Sequence, residues 1–286
     1  MIAHLTGQGY SARACCRLLG VSRASYFWWK RRGATTQELR RHWLTGLIRE
    51  IHVASRGTYG RRRVLAELVI GRQLVVNKKL VARIMSECGL FGLPLKKVRR
   101  GPSGEASSSD LVRREFRRDR PNRLWMTDIT EHLTREGKLY CCVVLDAHSR
   151  RVIGWSIDSM QTAALVSNAL GMAITNRRPE QGTVLHSDHG SQFTSWLFSQ
   201  RILEGGLMPS MGKVGAAVDN AMMESFWARM QTELLNRRKW NTRVELASEI
   251  FEYLEIFHNR SRRHSSLGML TPVEFEQAQA QLVDPA

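Results

Sequence analysis

The sequence predicts a chain in two parts: an all-α basic region, then an α/β region whose strands form a mixed five-stranded sheet. Three observations carry this. Residues 1–120 hold 26 Lys and Arg against 8 Asp and Glu, a net of +18, whereas 121–286 hold 17 against 18. The first region reads as short helices with cap and turn residues between them, and the second opens after Pro121 on three consecutive runs of aromatic and β-branched residues. Helices and strands then alternate in the order βββαβαβα, which implies a sheet covered by helices.

Within the first region, 11–31 (SARACCRLLGVSRASYFWWKR) reads as two short helices broken at Gly20, with Ser22 capping the second. This is a helix-turn-helix pattern, partial because only a stub precedes it, and it occupies 1–35. A second helix-turn-helix segment is expected over 36–93. It contains a helix over 36–53 with Leu39, Trp43, Leu47, Ile48 and Ile51 on one face, a glycine-flanked turn at 56–60, a helix over 61–70 opening on Arg61, Arg62 and Arg63, and a helix from Lys78 and Lys79 capped by Asn77 and stopped by Gly89. Basic residues at helix starts suit contact with a DNA backbone. Residues 94–120, rich in Gly, Ser, Pro and Arg, read as a basic linker, and 121–286 as the sheet region with a C-terminal helical extension.

In that region, strands are expected over 124–130, 138–145, 151–158 and 183–186, with a short fifth over 207–210. Helices are expected over 161–175, 192–203, 220–235 and 244–258, the last with Leu246, Ile250, Tyr253, Leu254 and Phe257 on one face.

A net charge of +17 points to a polyanionic partner, nucleic acid first. No apolar run reaches the ~20 residues that span a bilayer, and the start lacks the order of a secretory signal. A cytoplasmic protein without a membrane partner is the expectation. The five cysteines, Cys15-Cys16, Cys88 and Cys141-Cys142, show neither CxxC spacing nor an even disulfide framework, and read as reduced thiols.

The chemistry-bearing residues are acids. Asp128 lies inside an apolar strand (WMTDIT), Asp188 follows the fourth strand (LHSDHGSQF), and Glu224 stands on a helix (DNAMMESFW). A carboxylate inside such a strand needs a partner, and the strand around Asp128 has no Lys or Arg. If the three acids converge, divalent cations would relieve their repulsion, and all-oxygen ligands favour Mg²⁺ or Mn²⁺. Two such ions form a phosphoryl-transfer device. Single acids have plainer uses, and Asp146 as a turn opener and Asp219 as a helix cap fit those. His186 and His189 fall short of a zinc ligand set.

Four ordered motifs, W-x-T-D-I-T, H-S-D-H-G-S-Q-F, D-N-A-M-M-E-S-F-W and the tail F-H-N-R-S-R-R-H-S-S-L-G-M-L-T-P-V-E-F-E, together resemble the OrfB-type transposases of the IS-three insertion-sequence family. Residues 36–90, with R-G-T-Y-G-R-R-R, are similar to that family's helix-turn-helix segment, and 121–280 to its retroviral-integrase-like catalytic core. The resemblance implies an RNase H-like fold, an Asp-Asp-Glu site at Asp128, Asp188 and Glu224, and a polynucleotidyl transferase using two Mg²⁺ or Mn²⁺ ions. It implies cleavage and strand transfer at element ends and in target DNA, through a circular intermediate without a covalent protein-DNA link. It also implies at least a dimer in the synaptic complex, action at the bacterial nucleoid, and an upstream-frame protein of the same element as a further partner. Where relatives often carry Lys seven positions after the glutamate, this chain has Gln231, with Arg229 nearby; both are expected along the DNA strand, with Arg260, Arg262 and Arg263 of the tail as further contacts. The zinc module of retroviral integrases is absent. The competing readings are a DNA-binding regulator, a decayed transposase copy, and an RNase H-like nuclease.

Overall fold

Turn and cap residues set the boundaries of the first helices. In the computed structural model, which describes residues 1–94, 119–211 and 221–283, the chain divides into two compact units, Met1–Glu50 and Ile51–Ala286. In the first unit, α1 (Ile2–Gly7), α2 (Ala12–Leu18) and α3 (Arg23–Arg31) bury Cys15, Cys16 and Tyr26. The Ser22 hydroxyl accepts from the Ser25 amide, and Gly20 makes the turn at φ 65°. The following helix α4 (Thr36–Ala54) runs across the boundary between the units. Its buried stripe is Leu44, Ile48 and Ile51, so the expected face is rotated, with Leu39 and Trp43 exposed.

In the second unit, α5 (Arg61–Ala66) continues as a π-helical turn, Glu67–Gly71, and α6 (Lys78–Glu87) begins at Asn77, whose side chain accepts from the Lys79 amide. Residues 51–93 group with the sheet in the second compact unit. The cause lies in polar cross-ties: the Tyr59 hydroxyl donates to the Ser261 carbonyl at 2.8 Å and accepts from the Arg263 amide at 2.8 Å, and Arg56 pairs with Glu252 at 2.6 Å. The linker over 94–120 falls almost wholly outside the described residues, as does Asp219.

The sheet contains β1 (Leu124–Thr134), β2 (Gly137–Asp146), β3 (Val152–Asp158), β4 (Val184–Ser187) and β5 (Met208–Met211), in the order β3-β2-β1-β4-β5. The first three are antiparallel neighbours, and β4 joins β1 in parallel with Met126 opposite His186. This is the predicted mixed five-stranded sheet, with β1 running four residues further than expected. One face meets α7 (Ala163–Arg177) and α8 (Trp196–Glu204) through a core including Trp125, Val144, Leu170 and Phe198. Gly154 permits the approach of α7 to β3: a Cβ there would lie 2.3 Å from the Ala169 carbonyl oxygen.

The opposite face meets α9 (Ala221–Glu233), α10 (Arg243–Phe251) and its π-helical continuation, Glu252–Ser261. The apolar positions expected on that last face, Leu246, Ile250, Tyr253, Leu254 and Phe257, are all buried. At the sheet edge, Asn259 imitates a strand: its side-chain oxygen accepts from the Val152 amide at 2.9 Å and its nitrogen donates to the Val152 carbonyl at 2.8 Å. The helix α11 (Pro272–Val283) is tied to the β2–β3 hairpin and α7 by Glu276, which takes Arg151 at 2.7 Å and also pairs with Arg177. No helix among the described residues is long and apolar enough to cross a membrane, and Cys15, Cys16, Cys88, Cys141 and Cys142 are all free thiols.

Candidate active site

Strand alternation decides which way the acids point. Trp125 faces the α7 side, so its even-numbered neighbours, including Asp128, face α9. Because β1 and β4 run in parallel with Met126 opposite His186, the same register carried two residues further brings Asp128 beside Asp188, just beyond the end of β4. Glu224 stands in the first turn of α9, exposed, and three residues on, the Trp227 indole Nε1 donates to Asp128 Oδ2 at 3.2 Å. One helical turn therefore links Glu224 to the strand that carries Asp128.

The three acids sit in different surroundings. Asp128 is half-buried, and its other oxygen accepts from the Ile129 amide at 2.8 Å. Burial, followed by the charges of Asp188 and Glu224, pushes its carboxyl up to about 6, against the opposing pull of the Ile129 amide and the Trp227 indole. Asp188 is exposed and accepts from the Gly190 amide at 3.0 Å, so it also shapes the turn after β4. The carboxylates are near enough to act on one another's charge, but they are not drawn to a common point: among the described residues no group of three or more His, Cys, Asp or Glu side chains could already hold a metal ion. An uncompensated, oxygen-only donor set suits a hard divalent cation better than zinc. His186 is engaged elsewhere, its Nδ1 lying 3.1 Å from the Ser210 hydroxyl.

The basic residues divide into two groups. Arg61 and Arg62 at the start of α5, Lys78 and Lys79 at the start of α6, and Arg260 are exposed. Arg262 and Arg263, expected as DNA contacts on the tail, are instead buried and paired with carboxylates of the protein itself. The Arg262 guanidinium donates to both oxygens of buried Glu233, at 2.7 and 2.6 Å, and Arg263 binds Glu67 at 2.7 Å and Glu274 at 2.6 Å. Burial works against Arg262's charge and would by itself raise the Glu233 carboxyl; their pairing outweighs it, raising the arginine and lowering the acid. Arg63 is intermediate, 3.5 Å from Glu233. Gln231 is half-buried on α9, seven residues from Glu224 and so on nearly the same face, while Arg229 turns aside, its Nε donating to the Ser225 hydroxyl at 3.4 Å.

Sequence reasoning missed Trp227 and Glu233. The three-residue spacing from Glu224 could have flagged Trp227; Glu233 gave no local signal, because its partners lie at 63, 253 and 262.

The chain aligns with known proteins over nearly its whole length. It is 33% identical over 270 residues to the "Insertion element IS600 uncharacterized 31 kDa protein" of Shigella sonnei, covering 93% of this chain and 99% of that one. It is also 33% identical over 273 residues to "Transposase InsF for insertion sequence IS3A" of Escherichia coli (strain K12), covering 93% and 94%. This chain belongs to the IS3 family of transposases. In keeping with that, the integrase core domain family model matches residues 118–217, a second integrase core domain model matches 205–272, and the HTH-like domain model matches 38–98. Among solved structures, the catalytic core of HTLV-2 integrase in complex with magnesium is 17% identical, with a TM-score of 0.40 over 55% of this chain and 97% of that one.

Proposed function

We propose that this IS3-family chain is a DNA transposase that cleaves and joins the ends of its insertion sequence, with Asp128, Asp188 and Glu224 as its catalytic residues. The observation that carries the reading is the neighbourhood of Asp128, on β1, to Asp188, just past the end of its parallel partner β4, and to Glu224, on the helix fastened to Asp128 through Trp227. Transposase relatives over most of the chain and the integrase core match support it.

The reaction consists of two phosphoryl transfers. Water attacks the scissile phosphodiester, forming one P–O bond and breaking another, and frees a 3′-hydroxyl. That hydroxyl then attacks a second phosphodiester, so the bond count is conserved without any energy-rich cofactor. Asp128, Asp188 and Glu224 would hold two Mg²⁺ or Mn²⁺ ions, which when bound activate the attacking oxygen and stabilise the leaving one. The Ile129 amide and Trp227 indole each fix one oxygen of Asp128, which sets the orientation of its carboxylate. Asp188 is oriented by the Gly190 amide. Arg61, Arg62, Lys78, Lys79 and Arg260 are the exposed cations that would contact DNA phosphates, with Gln231 beside the strand at Glu224; a homo-oligomer would bring two ends together.

The test is incubation of the full chain with a labelled duplex of the element's end and Mg²⁺. The expected result is nicked and strand-transferred product, lost in Asp188→Asn and Glu224→Gln while duplex binding persists. Binding without any cleavage by the unaltered chain would instead make it a regulator.

A further inference from the structure

Residues 1–37 contain six Lys or Arg and no Asp or Glu. Within them α1 packs on α2 and α2 on α3, and the Thr6 hydroxyl of α1 lies 3.5 Å from the Tyr26 hydroxyl of α3. Four residues, 19–22, join α2 to α3; Gly20 makes the turn at φ 65° and Ser22 caps the second helix. Helix pairs joined in this way can lay the second helix in the major groove of DNA while the first crosses the backbone.

The two sides of α3 differ. Tyr26 is buried, and Trp29, three residues on, turns back over it: the rings stack at 6.3 Å, and Trp29 lines an apolar cavity of about 380 Å³ with Met1, Ile2, Leu19 and Val21. At about 100° per residue, Ala24 and Trp28 stand roughly 160° away from Tyr26. Both are exposed, as is Arg23 at the helix start. Trp28 keeps 68% of its surface open, with the Arg32 guanidinium 5.8 Å from its ring centre. On α2, Arg13 and Arg17 are exposed one turn apart. Charge selects the partner for this surface. A second copy of the segment would set six cations against six, whereas duplex DNA offers a phosphate about every 1.7 Å of its axis. The nine residues of α3 extend about 13.5 Å, which matches about four base pairs along a groove wide enough to admit a helix.

We propose that α3 is a base-reading helix, with Arg23, Ala24 and Trp28 against base edges in the major groove and Arg13 and Arg17 of α2 on the phosphates beside them. The Arg23 guanidinium fork fits O6 and N7 of one guanine, and Ala24 with the Trp28 ring gives apolar contact to a thymine methyl. The proposal rests on the transposase reading only for the duplex it names. The cations assigned to DNA in that reading hold the backbone and carry no sequence information, so α3 adds a separate function, the choice of sequence, and places it in the first unit.

The experiment is equilibrium binding of the full chain, without added divalent metal, to a panel of labelled duplexes of the element's end, each with one base pair replaced. The unaltered chain should show a run of about four pairs at which replacement weakens binding about 10-fold. In Arg23→Ala one G·C pair of that run should cease to matter, and in Trp28→Ala one pair that contains thymine. The other pairs should still discriminate, which a collapsed unit would not allow. Replacing both Arg13 and Arg17 by Ala should weaken every duplex alike and leave the pattern intact. No base preference in the unaltered chain overturns the assignment, as does a pattern in Arg23→Ala or Trp28→Ala that is either unchanged or flattened throughout. A chain that shows the expected base pattern but neither cleaves nor joins the duplex in Mg²⁺ supports α3 as the reader and refutes the transposase reading instead.

Discussion

Asp128→Asn should make this protein more stable while removing its activity. The Asp128 carboxyl is pushed from 3.8 to about 6 by burial and by Asp188 and Glu224, which corresponds to about 3 kcal/mol against its ionised form at neutral pH. Asparagine removes that charge at nearly constant volume. It keeps an acceptor for only one of the two donors, the Ile129 amide or the Trp227 indole, and the lost bond costs about 1 kcal/mol. The net gain is about 2 kcal/mol, several degrees in melting temperature for a unit of this size. The sign follows from the raised value: the native state's advantage in holding this proton is complete below 3.8 and lost as pH rises through about 6. The variant should therefore melt higher than the unaltered chain at pH 7.5 and lose that lead near pH 4. Millimolar Mg²⁺ should raise the melting temperature of the unaltered chain more than that of the variant. Thermal melts by circular dichroism at both pH values, with and without Mg²⁺, read all of this. A variant that melts lower at pH 7.5, or whose offset is the same at pH 4, would refute the strained-carboxylate argument.

Glu233→Ala leaves Arg262 buried without its partner and should cost about 3–5 kcal/mol in urea unfolding; a loss below about 1 kcal/mol would mean the pair is not structural. Gly154→Ala should destabilise by more than about 2 kcal/mol because its Cβ meets the Ala169 carbonyl, whereas Gly46→Ala, in mid-helix with nothing within 4 Å, should stabilise by about 0.5–1 kcal/mol; equal effects in chemical denaturation would refute the packing argument. The native state resists protonating His258 until about 4, whereas the unfolded chain takes up protons from about 6.5 downward, so the urea midpoint should fall across that window; His258→Gln should flatten the fall, and an unchanged slope counts against it. Replacing both Arg61 and Arg62 by Ala should lower the salt dependence of duplex binding by about two counterions, measured by anisotropy over a salt series, and an unchanged slope would remove α5 from the DNA track.

How much of this was legible in the sequence depended on range. Local chemistry could be read: Ser22 and Asn77 were recognisable as caps, Gly20 as a turn, and the three strands after Pro121 by their composition, because each is decided within a few residues. The acids stood out because Asp128 interrupts an apolar strand and so needs an explanation. Long-range partnership could not be read. Arg262 and Arg263 look, in a tail written N-R-S-R-R-H, like a basic surface patch; only the fold brings Glu233, Glu67 and Glu274 to them and turns them inward. The buried face of α4 is not legible for a related reason, since Leu39 and Trp43 fit the helical period as well as Leu44 does, and burial rather than periodicity selects the face.

Those inward arginines bear on how binding and chemistry are coupled. Glu233 closes α9, nine residues beyond Glu224, about 13.5 Å along the helix axis. Its carboxylate takes Arg262 from the tail, Tyr253 from the π-helical segment at 2.9 Å, and Arg63 from α5 at 3.5 Å. The helix that presents exposed Arg61 and Arg62 is thus joined, through the next residue, to the far end of the helix that presents Glu224. DNA held at α5 would sit at a fixed offset from the carboxylates rather than on a loosely tethered module. Breaking the tie without unfolding the unit, as Arg63→Gln should, ought to leave duplex affinity within a few-fold yet scatter the cleavage position over neighbouring phosphates. Sequencing the nicked ends reads that directly, and a cleavage site as sharp as that of the unaltered chain would show that α5 does not set the register.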